Sequence, residues 1–449
     1  MRAEAGVASS HAASRRDASR DRALLIAGAA VAAVAAIAYL VAVATHPMAA
    51  MLKGFDLQVY LDGGQQALHH PDNLFTWHYE NHPGIQFTYT PFAALLFAVV
   101  SALPLHTVLV VAAVVSTFAL AATVWIAFRE LGWQPAARTG ATLLVAGLVF
   151  WTEPVQRALF LGQIELVLMA LIAWDMCQPD HRRWKGAGVG LAAGIKLVPL
   201  IFIPYLILAG KLRQAAVATG VFAVSVVIGF AVLPGESVKW WLTGYFLHAG
   251  NFTNQSLGSL LNQSVLALLT RTPDGAGSVT ALWLAAAVVI ACLGLAAAAL
   301  LARAGRPTAG WVTCAVTGVL VSPISWDNHW VWITAVLVLL ADAAVRARGT
   351  ARAAYLALGV ALFAVFADWP TRWTGPLALV PHGLVGFNTR KHPMSEIFHL
   401  HGAQFIGWNL YVLAGIVIFA GLLAAATAAW LNRARDGHYL MRRPISSVP

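Results

Sequence analysis

Apolar runs long enough to cross a bilayer recur from one end of this chain to the other, and they limit its fold more than any single motif does. The clearest cover 23–45, 107–128, 187–208, 213–233, 279–302 and 405–431, each near the roughly 20 residues that a helix needs to span the hydrocarbon core. Shorter or more polar runs lie at 89–104, 139–151, 161–176, 309–322, 328–343 and 352–368. In lipid every backbone N–H and C=O must find a partner within protein, so only helices and closed barrels can cross. A barrel would show alternating hydrophobicity over short strands, and these runs do not alternate. The expected fold class is therefore all-α: a polytopic transmembrane helical protein of about twelve spans with long non-cytoplasmic loops. Composition agrees, since 59% of the residues are hydrophobic and only 11% charged, against roughly a quarter charged in soluble domains.

A formal net charge of +10 would suit a nucleic-acid partner if it were gathered on one domain, but it is not. The basic residues sit in short loops and at the two ends: Arg15, Arg16, Arg20 and Arg22; Lys211 and Arg213; Arg303 and Arg306; Arg346, Arg348 and Arg352; Arg433, Arg435, Arg442 and Arg443. That is the positive-inside pattern, which puts both termini in the cytoplasm and makes the membrane, not nucleic acid, the partner. Residues 1–22 read as a disordered cytoplasmic tail, 23–431 as the transmembrane domain and 432–449 as a second cytoplasmic tail. The first span is too long for a cleaved signal and reads as a signal-anchor. Cys177, Cys292 and Cys314 are scattered and suggest neither a metal site nor a disulfide framework.

Two ends inside require an even number of crossings, and alternation then places 46–88, 234–278, 321–329 and 369–404 outside. Loop 177–186 resists this order, because His181, Arg182, Arg183 and Lys185 would also lie outside. A re-entrant break at 193–199 is one way out: Pro199 removes a helix hydrogen bond and Lys196 needs water or a partner. Sequence alone leaves this stretch open.

The outer loops carry the chemistry. Asp56 follows the first span within Phe55-Asp56-Leu57-Gln58-Val59-Tyr60, where a carboxylate stays solvated yet can face a substrate held in lipid. That is where a general base belongs when one reactant is a lipid and the other offers a hydroxyl; the plainer alternative is an exposed acid at a helix end. Asn254 and Gln255, in an amide-rich run near Trp240, Trp241 and Tyr245, suit the hydroxyl edges and apolar faces of sugars, although aromatic residues also gather at membrane interfaces without a ligand. The segment Ser322-Pro323-Ile324-Ser325-Trp326-Asp327-Asn328-His329-Trp330 interrupts two short apolar runs. Pro323 would end the incoming helix, Asp327 or Asn328 would cap the next, and His329 beside a helix start suits an anion. Asp56 and Asp62 are too far apart for an Asp-x-Asp metal clamp, so no metal or other cofactor is expected.

These pieces occur in a fixed order together with Tyr89-Thr90-Pro91, Gly162-Gln163-Ile164-Glu165-Leu166, Gly194-Ile195-Lys196-Leu197-Val198-Pro199 and Asn254-Gln255-Ser256. In that order the chain resembles the GT-C membrane glycosyltransferases of glycosyltransferase family 87, and within it the polyprenol-phosphate-mannose-dependent α-(1→2)-mannosyltransferases. The resemblance covers roughly 23–431. It implies a donor of mannose β-linked to a polyprenyl phosphate, a mannosylated glycolipid acceptor (phosphatidylinositol mannoside or lipomannan), and inverting transfer on the outer face of the cell membrane. It further implies Asp56 as the base, His329 and secondarily Lys196 as contacts for the donor phosphate, and Tyr60, Asn254, Gln255 and Trp326 near the substrates. Asn328 stands where the family pattern has a second histidine. Two alternatives share these features: an arabinofuranosyltransferase of the same fold, and a transporter or flippase for a lipid-linked sugar.

Overall fold

A computed structural model of the chain describes residues 2–45, 52–77, 86–248, 259–272, 279–368 and 402–441. Among these residues the chain is helical, with two isolated backbone bridges and no strand. In chain order the principal helices are α1 (Arg2–Thr45), α2 (Phe55–His69), α3 (Pro91–Ala98), α4 (Leu105–Glu130), α5 (Pro135–Val149), α6 (Glu153–Leu161), α7 (Glu165–Met176), α8 (Ala187–Ile195), α9 (Phe202–Leu208), α10 (Leu212–Val232), α11 (Val265–Thr270), α12 (Thr280–Arg303), α13 (Pro307–Val321), α14 (Ile333–Arg346), α15 (Gly349–Phe366) and α16 (Leu410–Met441). Proline opens α3, α5 and α13, at the position where its missing N–H has no intrahelical partner to lose.

Seven helical stretches among the described residues are long and apolar enough to cross a membrane: Ala18–Ala44, Leu105–Glu130, Leu212–Val232, Thr280–Arg303, Asp327–Arg346, Gly349–Phe366 and Leu410–Arg433. The pair α6–α7, bent by 116°, adds an eighth if both arms count as one span. The all-α membrane fold stands, but the described residues do not reach a count of twelve spans. Several apolar runs are divided into short helices: α5, α13 and Val198–Leu208 are apolar but fall short of membrane length. The run 89–104 yields only α3, whose eight residues extend about 12 Å, under half the hydrocarbon thickness.

The chain divides into two compact units, one of Met1–Thr88, Ala94–Cys177 and Asp327–Arg390, the other of Tyr89–Ala93, Gln178–Trp326 and Lys391–Pro449. In the first unit α1 and α5 run side by side in the same direction, Gly28 against Gly140 and Gly147 against Ala32. The Tyr39 ring then meets Phe150 edge-on at 5.3 Å. Helix α1 begins at Arg2, so the backbone of most of the stretch expected as a tail is continuous with the first span. The stretch 46–88, read as an open loop, contains α2. Its inner face, Leu57, Tyr60 and Leu61, is buried, and Gln65 Nε2 donates to the Ser101 carbonyl at 2.8 Å. At the other end of this unit, Trp133 Nε1 donates to Asp342 Oδ1 at 2.7 Å and Arg346 reaches the Leu131 carbonyl at 2.6 Å.

In the second unit α8 packs on α10 through Gly186, Gly190 and Gly194, spaced four apart. A Cβ on Gly190 would lie 2.4 Å from the Ala218 carbonyl oxygen. Small residues at this spacing let helix backbones approach closely in a membrane. Gly190→Val is expected to destabilise the protein by about 1–3 kcal/mol through overpacking. Gly220→Val on α10, where a Cβ meets nothing within 4 Å, is the control. Thermal unfolding in detergent separates the two, and equal stability of both variants would refute the close packing. Elsewhere in this unit the buried Arg271 guanidinium donates to Asn409 Oδ1 at 2.6 Å and to the Trp408 carbonyl at 3.2 Å. Gln263 Nε2 also donates to the Trp408 carbonyl, at 2.7 Å. Together they hold the region around α11 against the start of α16.

Candidate active site

Asp56 is the second residue of α2, in the first turn where a carboxylate faces the positive end of the helix dipole. The entry to α2 is fixed from α6: the N–H groups of Lys53 and Gly54 both donate to the Phe160 carbonyl at 2.9 Å. Gly54 itself is left-handed, with φ 65°, a conformation glycine adopts without steric cost. Asp56 is half-buried, and its Oδ2 accepts a hydrogen bond from Gln163 Nε2. Tyr60 lies one turn further along the same face of α2. Its ring is 2% exposed and stacks on Phe97 at 4.6 Å, and its hydroxyl donates to Gln163 Oε1 at 2.5 Å. A primary amide has one acceptor oxygen and one donor nitrogen. With the oxygen held by Tyr60, the nitrogen is turned to Asp56.

Gln163 sits in the elbow between α6 and α7. Gly162 makes the bend: its φ is 71°, and a Cβ there would lie 2.7 Å from Leu57 Cβ, so both backbone and space require glycine. Two residues on, Glu165 opens α7 and places Oε1 3.4 Å from His329 Nε2, with both side chains largely buried. His329 lies in the 3-10 helix Asp327–Trp332. At the head of that helix Asp327 Oδ1 accepts from the Asn328 N–H at 2.8 Å, and Oδ2 lies 3.4 Å from Arg157 Nε on α6. This last contact is an ion pair without an aligned hydrogen bond between those two atoms.

Asp56 and His329 are far apart in sequence, yet they touch residues two apart on one elbow. The structure therefore brings Asp56, Tyr60 and His329 to a common segment within the first unit. Lys196 and Trp326 belong to the second unit. Lys196 Nζ lies 5.5 Å from the centre of the Tyr89 ring, and Trp326 bridges by its backbone to Asn262. Asn254 and Gln255 lie outside the described residues. Asp62 is bound within α2 by Gln58 Nε2 at 2.7 Å. Among the described residues no three His, Cys, Asp or Glu side chains gather as a metal would require.

Of the other residues at this site, Arg157 was not singled out from sequence, Gln163 and Glu165 stood there only within an ordered motif, and Asp327 only as a helix-cap candidate. The available signal was polarity, since an amide and a carboxylate in an otherwise apolar membrane run are costly unless buried with partners. Tyr60→Phe keeps the stacked ring and removes only the hydroxyl that orients Gln163. One hydrogen bond is worth about 1 kcal/mol, so kcat should fall roughly fivefold with the substrate KM values unchanged. A rise in KM with kcat intact would instead make Tyr60 a substrate contact.

The sequence profile of glycosyltransferase family 87 matches residues 87–323, more than half of the chain and including the elbow and Lys196. The chain belongs to glycosyltransferase family 87. Curated relatives extend the match. A Mycobacterium tuberculosis polyprenol-phosphate-mannose-dependent alpha-(1-2)-phosphatidylinositol mannoside mannosyltransferase is 29% identical over 380 residues, 82% of this chain and 81% of its own. A Mycobacterium tuberculosis polyprenol-phosphate-mannose-dependent alpha-(1-2)-phosphatidylinositol pentamannoside mannosyltransferase is 31% identical over 66% of this chain and 68% of its own. The Mycolicibacterium smegmatis phosphatidylinositol mannoside enzyme is 29% identical over 83% and 84%. No solved structure matches the chain. The chain is thus a multi-pass membrane glycosyltransferase of this family, with the elbow, α2 and the 3-10 helix as its candidate active site.

Proposed function

We propose that this protein transfers mannose from a polyprenyl-phosphate-mannose to a phosphatidylinositol mannoside, forming an α-(1→2) linkage on the extracytoplasmic face of the cell membrane. The observation that carries the reading is the elbow, which engages both Asp56 and His329. A β-linked donor and an α-linked product require one inverting displacement. The acceptor hydroxyl oxygen attacks the anomeric carbon, the bond from that carbon to the lipid phosphate oxygen breaks, and the hydroxyl proton passes to Asp56. Gln163 donates to Oδ2 and so orients the carboxylate, which is how a positioned base is held ready. The leaving phosphate is already acidic and needs charge and donor groups rather than a proton.

His329 is the proposed phosphate contact. Glu165 lies against Nε2, which sets the ring's orientation and turns Nδ1 the other way. Asn254 and Gln255 are proposed to meet the acceptor sugar, and Trp326 to pack beside it. The names of the relatives support the donor and the acceptor class, and the basic loops support the sidedness. Purified protein in detergent, given radiolabelled polyprenyl-phosphate-mannose and phosphatidylinositol mannosides, should yield a product whose new label is released by an α-(1→2)-mannosidase. Transfer from polyprenyl-phosphate-arabinofuranose instead would overturn the donor. Movement of lipid-linked sugar between leaflets without any new bond would overturn the enzyme.

A further inference from the structure

We infer that residues 187–208 do not cross the membrane but form a re-entrant hairpin, entering and leaving at the basic end of the second unit and offering Lys196 near its tip to the phosphate of the lipid donor. The role of Lys196 rests on the donor proposed above; the path of the chain stands on packing register alone.

The two ends of the hairpin are tied together. Asp180, before α8, takes Lys185 Nζ at 2.9 Å and also Lys211 Nζ, from the turn before α10. Arg213 donates to the carbonyls of Arg182 at 2.8 Å and Arg183 at 3.1 Å. The chain is therefore at one end both before 187 and after 208. Between those points it climbs and returns. On the way up, Gly186, Gly190 and Gly194 face Gln214, Ala218 and Ser225 in turn, so α8 runs parallel to α10. Ser225 lies about 20 Å along a helix of roughly 30 Å, which sets the height of the tip.

On the way down the order reverses along α13. Val198 and Ile201 face Gly318, Cys314 Sγ lies 3.6 Å from the Ile201 carbonyl oxygen, and the Tyr205 hydroxyl faces Gly310. The chain is then moving toward the Arg303–Arg306 turn. At the tip α8 stops: Lys196 is extended, with φ −136° and ψ 134°, and Pro199 enters the next 3-10 turn. The Gly194 carbonyl, at the end of the climbing arm, accepts from the Thr90 hydroxyl, as a broken helix in a membrane requires. Lys196 is thus carried well away from the basic end, where an ammonium can meet an anion.

This path also gathers Arg182, Arg183, Lys185, Lys211 and Arg213 at one end, which the positive-inside rule makes cytoplasmic. The Asp180 tie persists at any working pH. Partial burial raises its carboxyl, but hydrogen bonds from Lys211 and Lys185 hold it down to about 2. What it adds to stability is therefore full above its ordinary value near 3.8 and is lost only as the pH falls through about 2.

The test uses the full-length chain with Cys177, Cys292 and Cys314 replaced by Ala, and one new cysteine at a time. His181→Cys and Lys211→Cys should both react with an impermeant maleimide only after lysis, whereas Pro323→Cys should react in intact cells. Labelling of 181 and 211 from opposite sides would overturn the hairpin. Lys196→Gln should raise the KM for polyprenyl-phosphate-mannose about tenfold or more, the loss of one charge-assisted contact, with Lys196→Arg restoring part of it. An unchanged donor KM would remove Lys196 from the phosphate while leaving the hairpin. If the parent protein used no polyprenyl-phosphate donor at all, the donor reading would fall, and the labelling would still decide the path.

Discussion

Asp56→Asn is expected to lower mannosyl transfer at least about a hundredfold, because loss of a positioned general base typically costs 10²–10⁴ in rate. The substitution keeps size and polarity, and the Asn oxygen can still accept from Gln163 Nε2, which now contacts Oδ2. Insertion, folding and donor binding should therefore persist, and the loss should appear in kcat with little change in detergent stability. Asp62→Asn is the internal control. It lies on the same helix and meets Gln58 rather than the elbow, so its turnover should stay near that of the parent. Retention of more than about a tenth of the parent turnover by Asp56→Asn would deny Asp56 the role of sole base. Equal damage from Asp62→Asn would point to the helix rather than the carboxylate.

The largest stability effect is expected at Arg157→Met. Arg157 and Asp327 have side chains only 11% and 1% exposed, and they face each other at 3.4 Å. Removing the guanidinium leaves a carboxylate buried without its ion-pair partner, which typically costs 3–5 kcal/mol. Asp327 also receives the Asn328 N–H, so its displacement would disturb the 3-10 helix that carries His329. The double variant Arg157→Met/Asp327→Leu should recover most of the stability, since an apolar pair of similar volume is often as good as a buried ion pair. Thermal unfolding of the two single variants and the double in detergent measures the coupling. An Arg157→Met protein as stable as the parent would show that the pair contributes nothing.

Much of the site was legible in the residues. Asp56 and His329 stood out because ionisable groups at the edge of apolar runs are costly without a purpose, and the ordered motifs pointed to family 87. The Gly-Gln-Ile-Glu segment was visible as a motif, but its task was not. Only the left-handed turn at Gly162 shows that Gln163 reaches α2 while Glu165 reaches the 3-10 helix. The resemblance to family 87 implied a place near the substrates for Tyr60. In the fold its ring stacks on Phe97 and its hydroxyl orients Gln163. That difference depends on which face of α2 is buried, and sequence spacing within one short helix does not decide it.

Hydropathy by itself determined that this chain is an all-helical membrane protein, since lipid leaves an unpaired backbone no alternative and each apolar run must satisfy its own hydrogen bonds. It could not determine how many of the runs cross. A 22-residue apolar run such as 187–208 has the length of a straight span, about 33 Å as a helix, and the same residues folded back on themselves are equally apolar. What separates the two is contact between parts distant along the chain: Asp180 with Lys211, Gly194 with Ser225, Tyr205 with Gly310. The candidate active site follows the same division. The sequence names the acid and the histidine from their chemistry, while the amide, the second carboxylate and the buried arginine acquire a function only through the neighbours that the bent helix pair brings to them.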